Sequence, residues 1–368
     1  MSGVTPSSCG RVGFRSVLLV AALLLSGCLG FSHPGASRDS RAFLFESGGN
    51  TLAATLNLPR SPEGRPPPLL VFVHGDGALP ADAYGYYAPI WNHLARRGIA
   101  SAAWDKPGVG ASSGNWLHQS MEERAQEVVD AVAHLRSSVA GVDFSSIGLI
   151  GFSQAGWVLP EVAASGGSSD FLILVSGAIH WKRQSDYLTR RRLEREGRDS
   201  ATVEAALAQN RLGFALFEGA HDYDDYLRHE REKCRRGILP SGCDPMSSDR
   251  YRFVRTNIDA DASEALARID QPVLALFGDR DANVDVDESR ATYRRLVPTP
   301  PRASLHVETY ADAAHGLLRV EHFDGQDPGF AFLLKLGLMG EDAFADGVLD
   351  DIAEFALDPS TAEDVRER

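Results

Sequence analysis

The chain has 368 residues and a formal charge of −13, with 43% hydrophobic and 24% charged residues. That length supports a sizeable core, in one large α/β domain or two smaller ones. The acidity and the lack of a basic aromatic patch exclude nucleic acid as a partner, and beyond the extreme N-terminus no apolar run is long enough to span a bilayer.

Arg11 and Arg15 precede an apolar run over residues 17–25 that is too short for a spanning helix. Leu25-Ser26-Gly27-Cys28 follows, and the whole resembles the signal and lipobox of bacterial lipoproteins. The resemblance implies a signal peptide over residues 1–27, cleavage before Cys28, and lipid on that cysteine. It also implies an exported chain held to the cell envelope. Leu29, in place of an Asp that retains such proteins at the inner membrane, favours the outer membrane where the host has one. The plainer alternative is a secretory signal with a chance cysteine. Residues 28–40, rich in Ser, Gly and Pro, read as a flexible tether. Cys9 leaves with the signal, so Cys234 and Cys243 remain. In an oxidising compartment their spacing predicts a short loop-closing disulfide, against the alternative of two unrelated buried thiols.

Residues 41–46 and 51–58 alternate in hydrophobicity around Ser47-Gly48-Gly49-Asn50, which predicts an antiparallel hairpin. Residues 59–68 are a breaker-rich loop. Residues 69–73 are continuously apolar, as in a strand buried on both faces of a parallel sheet. A helix over 84–97, a strand over 99–104 and a helix over 121–136 follow. In the last, Ala125, Val128, Val129, Val132 and Leu135 share one side. Then come a strand at 147–150, a helix at 155–164 in spite of Pro160, and a strand at 171–175. The alternation predicts a doubly wound α/β fold, mostly parallel, with an antiparallel start.

Residues 180–268 break the pattern. They are polar, helix-prone and too long for an ordinary loop, so they predict a helical cap inserted between core segments 41–179 and 269–368. The core pattern returns with a strand at 272–277, a helix at 288–296 and a strand at 304–310. The final ten residues read as a frayed tail.

Five short motifs stand at predicted strand ends: His74-Gly75-Asp76-Gly77, Asp105-Lys106-Pro107-Gly108-Val109-Gly110-Ala111-Ser112, Gly151-Phe152-Ser153-Gln154-Ala155-Gly156, Gly278-Asp279-Arg280-Asp281 and Ala314-His315-Gly316. Together they resemble the α/β-hydrolase superfamily, in its bacterial esterase-like and dienelactone-hydrolase or S9-peptidase-like branches. The resemblance runs from about residue 41 to the C-terminal helix, apart from the insert. A serine on a sharp strand-to-helix turn needs small neighbours two residues either side, and Gly151 and Ala155 supply them. Serine is a weak nucleophile without an adjacent imidazole, and the family order of Ser, acid, His points to Ser153, Asp281 and His315. Asp279 is the nearest rival for the acid; His180, His221, His229, His306 and His322 are the rivals for the base. The family pattern also implies an oxyanion site made by the backbone N–H groups of Gln154 and Asp76. The Asp105–Ser112 loop reads as scaffold.

Asp279-x-Asp281-x-Asn283 looks like the opening of an EF-hand loop, but Val284 stands where the turn needs Gly and Arg290 where the bidentate Glu belongs. No phosphate-binding, dinucleotide or zinc-protease motif appears, so neither cofactor nor metal is expected. The sequence therefore predicts a metal-independent serine hydrolase acting on a small acyl substrate, with a carboxylic ester as the first reading. A peptidase or acyltransferase on the same scaffold is the alternative within the class, and a non-catalytic binding lipoprotein the alternative outside it. The cap aromatics Trp181, Tyr187, Phe214, Phe217, Tyr223 and Tyr226 read as packing residues.

Overall fold

The computed structural model describes residues 38–60, 65–137, 141–166, 169–219, 221–235, 244–300, 303–323 and 329–360. The expected signal peptide, the lipidation site Cys28 and the disulfide partner Cys243 lie outside the described residues.

The apolar strands assemble into one eight-stranded sheet of order β1-β2-β4-β3-β5-β6-β7-β8. Its strands are β1 (Arg38–Ser47), β2 (Asn50–Pro59), β3 (Leu69–Val73), β4 (Ala100–Trp104), β5 (Ile147–Phe152), β6 (Phe171–Val175), β7 (Val273–Gly278) and β8 (Leu305–Tyr310). The β1–β2 and β2–β4 pairs are antiparallel and the rest parallel. Side chains of a strand alternate between faces, and β3 shows the consequence. Leu69, Val71 and Val73 enter one hydrophobic core, while Leu70 and Phe72 enter the other. All five are essentially without solvent contact, which is why the run carries no polar residue.

Helices cover both faces. On one side lie α1 (Tyr87–Arg96) and α12 (Val348–Leu357), contributing Ile90, Trp91, Leu94, Ile352 and Phe355 to the second core. On the other lie α2 (Met121–Arg136), α3 (Leu159–Ala164) and α9 (Val286–Leu296). Ser120 and Glu123 form a reciprocal capping box at the start of α2. Between β6 and β7 the chain runs through α4 (Trp181–Arg195), α5 (Ser200–Glu218), α6 (Tyr223–Arg235), α7 (Ser248–Asn257) and the short α8 (Ser263–Leu266). After β8 come α10 (Val320–Phe323) and α11 (Phe330–Met339). Phe217, Tyr226 and Tyr251 form a separate cluster with Trp181, Phe214 and Tyr223 against it, so most of the insert's aromatics pack on one another.

Several boundaries differ from those read in the sequence, each for a local reason. β1 starts at Arg38, inside the expected tether, because the Arg38 guanidinium bonds Asn92 Oδ1 at 2.7 Å and lies over the Trp91 ring. α1 starts at Tyr87 because Ala83, Tyr84 and Gly85 all take positive φ. The helix expected over 155–164 is split into a 3-10 turn at Ser153–Gly156 and α3 from Leu159. Pro160 sits in the first turn of α3, where its missing N–H breaks no helical bond.

Candidate active site

Ser153 is the first residue after β5, at φ 52°. That left-handed backbone is unfavourable for a residue with a Cβ. Crowding keeps it there. A Cβ on Gly151 would come within 2.8 Å of Ala155 Cβ and closer still to Leu159, and one on Gly156 would overlap the backbone of Ala178. Ala178 N–H in turn donates to Ser153 O at 3.0 Å. Only small residues at 151, 155 and 156 let the turn lie this close to α3 and to the segment after β6.

Asp281 and His315 meet. The Asp281 side chain is fully buried in the loop after β7, and its Oδ1 accepts the N–H groups of Asn283 at 2.7 Å and Val284 at 3.0 Å. Its Oδ2 faces His315 Nδ1 at 2.8 Å. Burial works to raise the Asp281 pKa, but the charge and hydrogen bond of His315 and the two backbone donors outweigh it and hold the carboxyl below its ordinary value. With Nδ1–H donating to the carboxylate, a neutral ring presents its lone pair at Nε2. Tyr187 of α4 donates to Asp281 O at 3.0 Å, tying the insert to this loop. Tyr86 links the histidine and serine segments: its hydroxyl donates to Gly316 O at 2.6 Å and its ring stands edge-on to Phe152.

Four of the rivals are engaged elsewhere. Asp279 accepts from Ala313 N at 3.4 Å, His322 pairs with Glu321 and His221 with Asp225, and His306 lies against Phe355.

The loop 74–77 lies beside the serine, since a Cβ on Gly75 would stand 3.3 Å from Ser153 Cβ. Two buried cations grip its carbonyls. Lys106 Nζ donates to Gly75 O at 2.7 Å and Gly77 O at 3.0 Å, and Arg124 donates to His74 O at 2.7 Å and Gln154 Oε1 at 2.5 Å. In a trans peptide N–H and C=O point opposite ways. Holding Gly75 O on Lys106 therefore aims the Asp76 N–H away from that ammonium. Burial, together with the Arg124 charge, depresses the Lys106 pKa well below normal, while Asp76 and Glu127 oppose the shift; the Trp116 ring lies 4.6 Å from its nitrogen. His74 itself is locked neutral. Burial takes its pKa down to about 3, with Nε2 against Trp104 O at 2.7 Å and Nδ1 against the Tyr87 hydroxyl at 3.1 Å.

The Asp76 carboxylate is held by Arg250 of α7, whose two terminal nitrogens bond Oδ1 at 2.8 Å and Oδ2 at 2.6 Å. Gln154 Nε2 also reaches Asp76 Oδ1, at 3.2 Å. The pair is partly exposed, so its contribution to folding is of order 0–1 kcal/mol.

Lys106, Arg124 and Arg250 were not singled out by sequence reasoning. Arg124 carried a signal, falling on the buried side of α2 with Ala125, Val128 and Leu135. Lys106 was visible only as part of a scaffold motif, and nothing near Arg250 marks it. The Asp105 loop is the scaffold expected: its carboxylate accepts from Ala81 N at 2.8 Å and Ala111 N at 3.0 Å. Cys234 is in the last turn of α6 and is disulfide-bonded.

A family model described as serine aminopeptidase, S33 matches residues 64–322. Similar solved structures include an esterase of Pyrococcus furiosus (15% identity, TM-score 0.50, covering 84% of this chain and 93% of that one). Est1E of Butyrivibrio proteoclasticus, solved with ferulic acid, is similar at 16% identity and TM-score 0.50, over 86% and 96% of the two chains. A proline iminopeptidase of Mycobacterium smegmatis is similar at 14% identity and TM-score 0.54, over 87% and 98%.

The crowding at Gly156 makes a direct prediction. Gly156→Ala forces a Cβ into the Ala178 backbone and is expected to cost about 1–3 kcal/mol in urea unfolding. Gly213→Ala, inside α5 where an added Cβ would meet only His229 Nε2 at an ordinary contact distance of 3.9 Å, is expected to be stabilising by about 0.5–1 kcal/mol.

Proposed function

The chain belongs to the serine aminopeptidase S33 family of α/β-hydrolases, and from that premise we propose that this serine hydrolase cleaves carboxylic esters through an acyl-enzyme on Ser153. The observation that supports the reading is a strained serine after β5 and an Asp281–His315 pair, its carboxylate fully buried, in the loops after β7 and β8 of the same parallel sheet.

Ser153 Oγ attacks the ester carbonyl while His315 Nε2 takes its proton. Asp281 holds the ring in the tautomer that leaves Nε2 free and stabilises the imidazolium that forms. The oxyanion of the tetrahedral intermediate accepts from the N–H groups of Gln154 and Asp76. The intermediate collapses, the C–O bond breaks, and His315 gives its proton to the departing alcohol. Water then repeats the sequence on the acyl-serine, with His315 again base and then acid, and releases the carboxylic acid.

The family's description favours one second reading, cleavage of an N-terminal residue from a peptide. A free carboxylate near the serine would suit the ammonium group of an aminopeptidase substrate. Asp76, an acidic side chain beside the serine loop, is already taken by Arg250, which weighs toward esters.

From the sequence we further infer that Cys28 carries lipid and that the enzyme is exported and anchored to the cell envelope, with the outer membrane favoured by Leu29. Isotope-labelled fatty acid is expected to enter the wild-type chain in a bacterial host and not Cys28→Ser; equal labelling of both would remove the anchor from this account.

Turnover of p-nitrophenyl acetate is expected from the wild type and not from Ser153→Ala or His315→Ala. Asp281→Asn is expected to lower kcat by about 10³–10⁴-fold with little change in KM, because the wrong tautomer is then held. Faster turnover of aminoacyl p-nitroanilides than of the ester would favour the peptidase reading instead.

A further inference from the structure

The Arg250–Asp76 pair joins the insert to the loop beside the nucleophile, and the scheme above does not use it. Asp76 is placed awkwardly for an oxyanion donor. Its N–H is to stabilise a developing negative charge, while its own carboxylate, a few bonds away, carries one already. Charges of like sign at such separation repel strongly where water is partly excluded.

The structure gives that carboxylate a fixed partner. Both oxygens are held in a bidentate clasp by Arg250 at 2.8 and 2.6 Å, the planar geometry that fixes direction as well as distance. The guanidinium is itself positioned, 5.6 Å from the Trp116 ring centre and 5.1 Å from that of Phe253. Its helix is stitched to the core by Asn257, which accepts from Met121 N at 2.9 Å and donates to Gln119 O at 3.1 Å, and by Asp249, which accepts from Asn115 at 3.0 Å. Partial burial works to raise the Asp76 pKa, yet the bond and charge of Arg250, with Lys106 and the Gly77 N–H, hold it below the ordinary value. The carboxylate is therefore charged and needs its restraint. The Gln154 side chain closes the circuit, bonding Asp76 on one side and Arg124 on the other.

We propose that Arg250 is a positioning residue for the Ser153 reaction: its clasp turns the Asp76 carboxylate away from the oxyanion and so makes the donor loop depend on where α7 sits. The inference rests on the acyl-enzyme reading. It gives α7 a role in rate, and any displacement of that helix lowers turnover.

The test is steady-state turnover of p-nitrophenyl acetate by the purified full chain, with thermal midpoints, for wild type, Arg250→Ala, Arg250→Lys, Asp76→Asn and the Arg250→Ala/Asp76→Asn double variant. Arg250→Ala is expected to lower kcat about tenfold or more. Its KM is expected to stay within about threefold and its thermal midpoint within about 2 °C. Arg250→Lys, which keeps the charge and loses the two-point grip, is expected to fall between. The distinguishing result is rescue. The double variant is expected to be several-fold faster than Arg250→Ala alone, because the charge to be restrained is gone, and a merely structural role gives no such recovery. Should Arg250→Ala not fold, the same comparison is made with Arg250→Lys, alone and combined with Asp76→Asn. A kcat within about twofold of wild type in the arginine variants, or a double variant no faster than its arginine parent, overturns the proposal while leaving Ser153 chemistry intact. A wild type without Ser153-dependent turnover overturns both.

Discussion

Ser153 is held at φ 52°, and the surrounding structure is arranged around keeping it there. An isolated residue with a Cβ leaves that conformation readily; it persists where neighbours over-determine it. Here the neighbours are the backbone after β6 on one side, α3 on another and the Gly75 segment on a third. Each comes close because the side chains at 75, 151, 155 and 156 are absent or a single methyl. The parallel order β5-β6-β7-β8 then delivers the serine, acid and histidine loops to one end of the sheet. β5, β6 and β7 are buried along their whole length, while β8 at the sheet edge is only partly buried.

A second layer of order is electrostatic. Lys106 and Arg124 are cations in the interior, which is costly unless every donor finds a partner. Their partners are largely carbonyls of the loop 74–77, with Trp116 and Gln154 beside them. The cost of burying charge is thereby coupled to the direction of the loop's peptide groups. Glu127 stands nearby, bonded by the Trp104 indole and Gln119 at 2.6 Å each; burial raises its pKa, and those two bonds with the Arg124 and Lys106 charges oppose the rise. The aromatic stack Trp157–Trp181 and the Trp181–Phe253 contact carry the same alignment outward from the Ser153 turn to α4 and α7.

Much of this was legible in the sequence because it depends on short-range rules. Leu69–Val73 and Phe171–Val175 are apolar without interruption and proved to be buried parallel strands at those bounds. The α2 limits, Met121 and Arg136, follow from periodicity and a capping box. Asp281 and His315 are found together as the motif order implied. The break of the helix after Ser153 was not legible, because the turn is decided by contacts with Ala178, far along the chain. The start of β1 was misplaced because Arg38 is fixed by Asn92 and Trp91, a pairing no local pattern displays. Arg250 was invisible for the same reason, standing 174 residues from Asp76. The α/β-hydrolase fold is thus written in local patterning, and the tuning of its site in long-range polar contacts.

The central claim is that Ser153 is an activated nucleophile. It is tested most directly by treating the folded chain with a fluorophosphonate and locating the adduct by peptide mass spectrometry. The account predicts one adduct on Ser153, present in the wild type and absent in His315→Ala. A folded wild-type chain that stays unmodified at Ser153, or that is modified equally without His315, would contradict it.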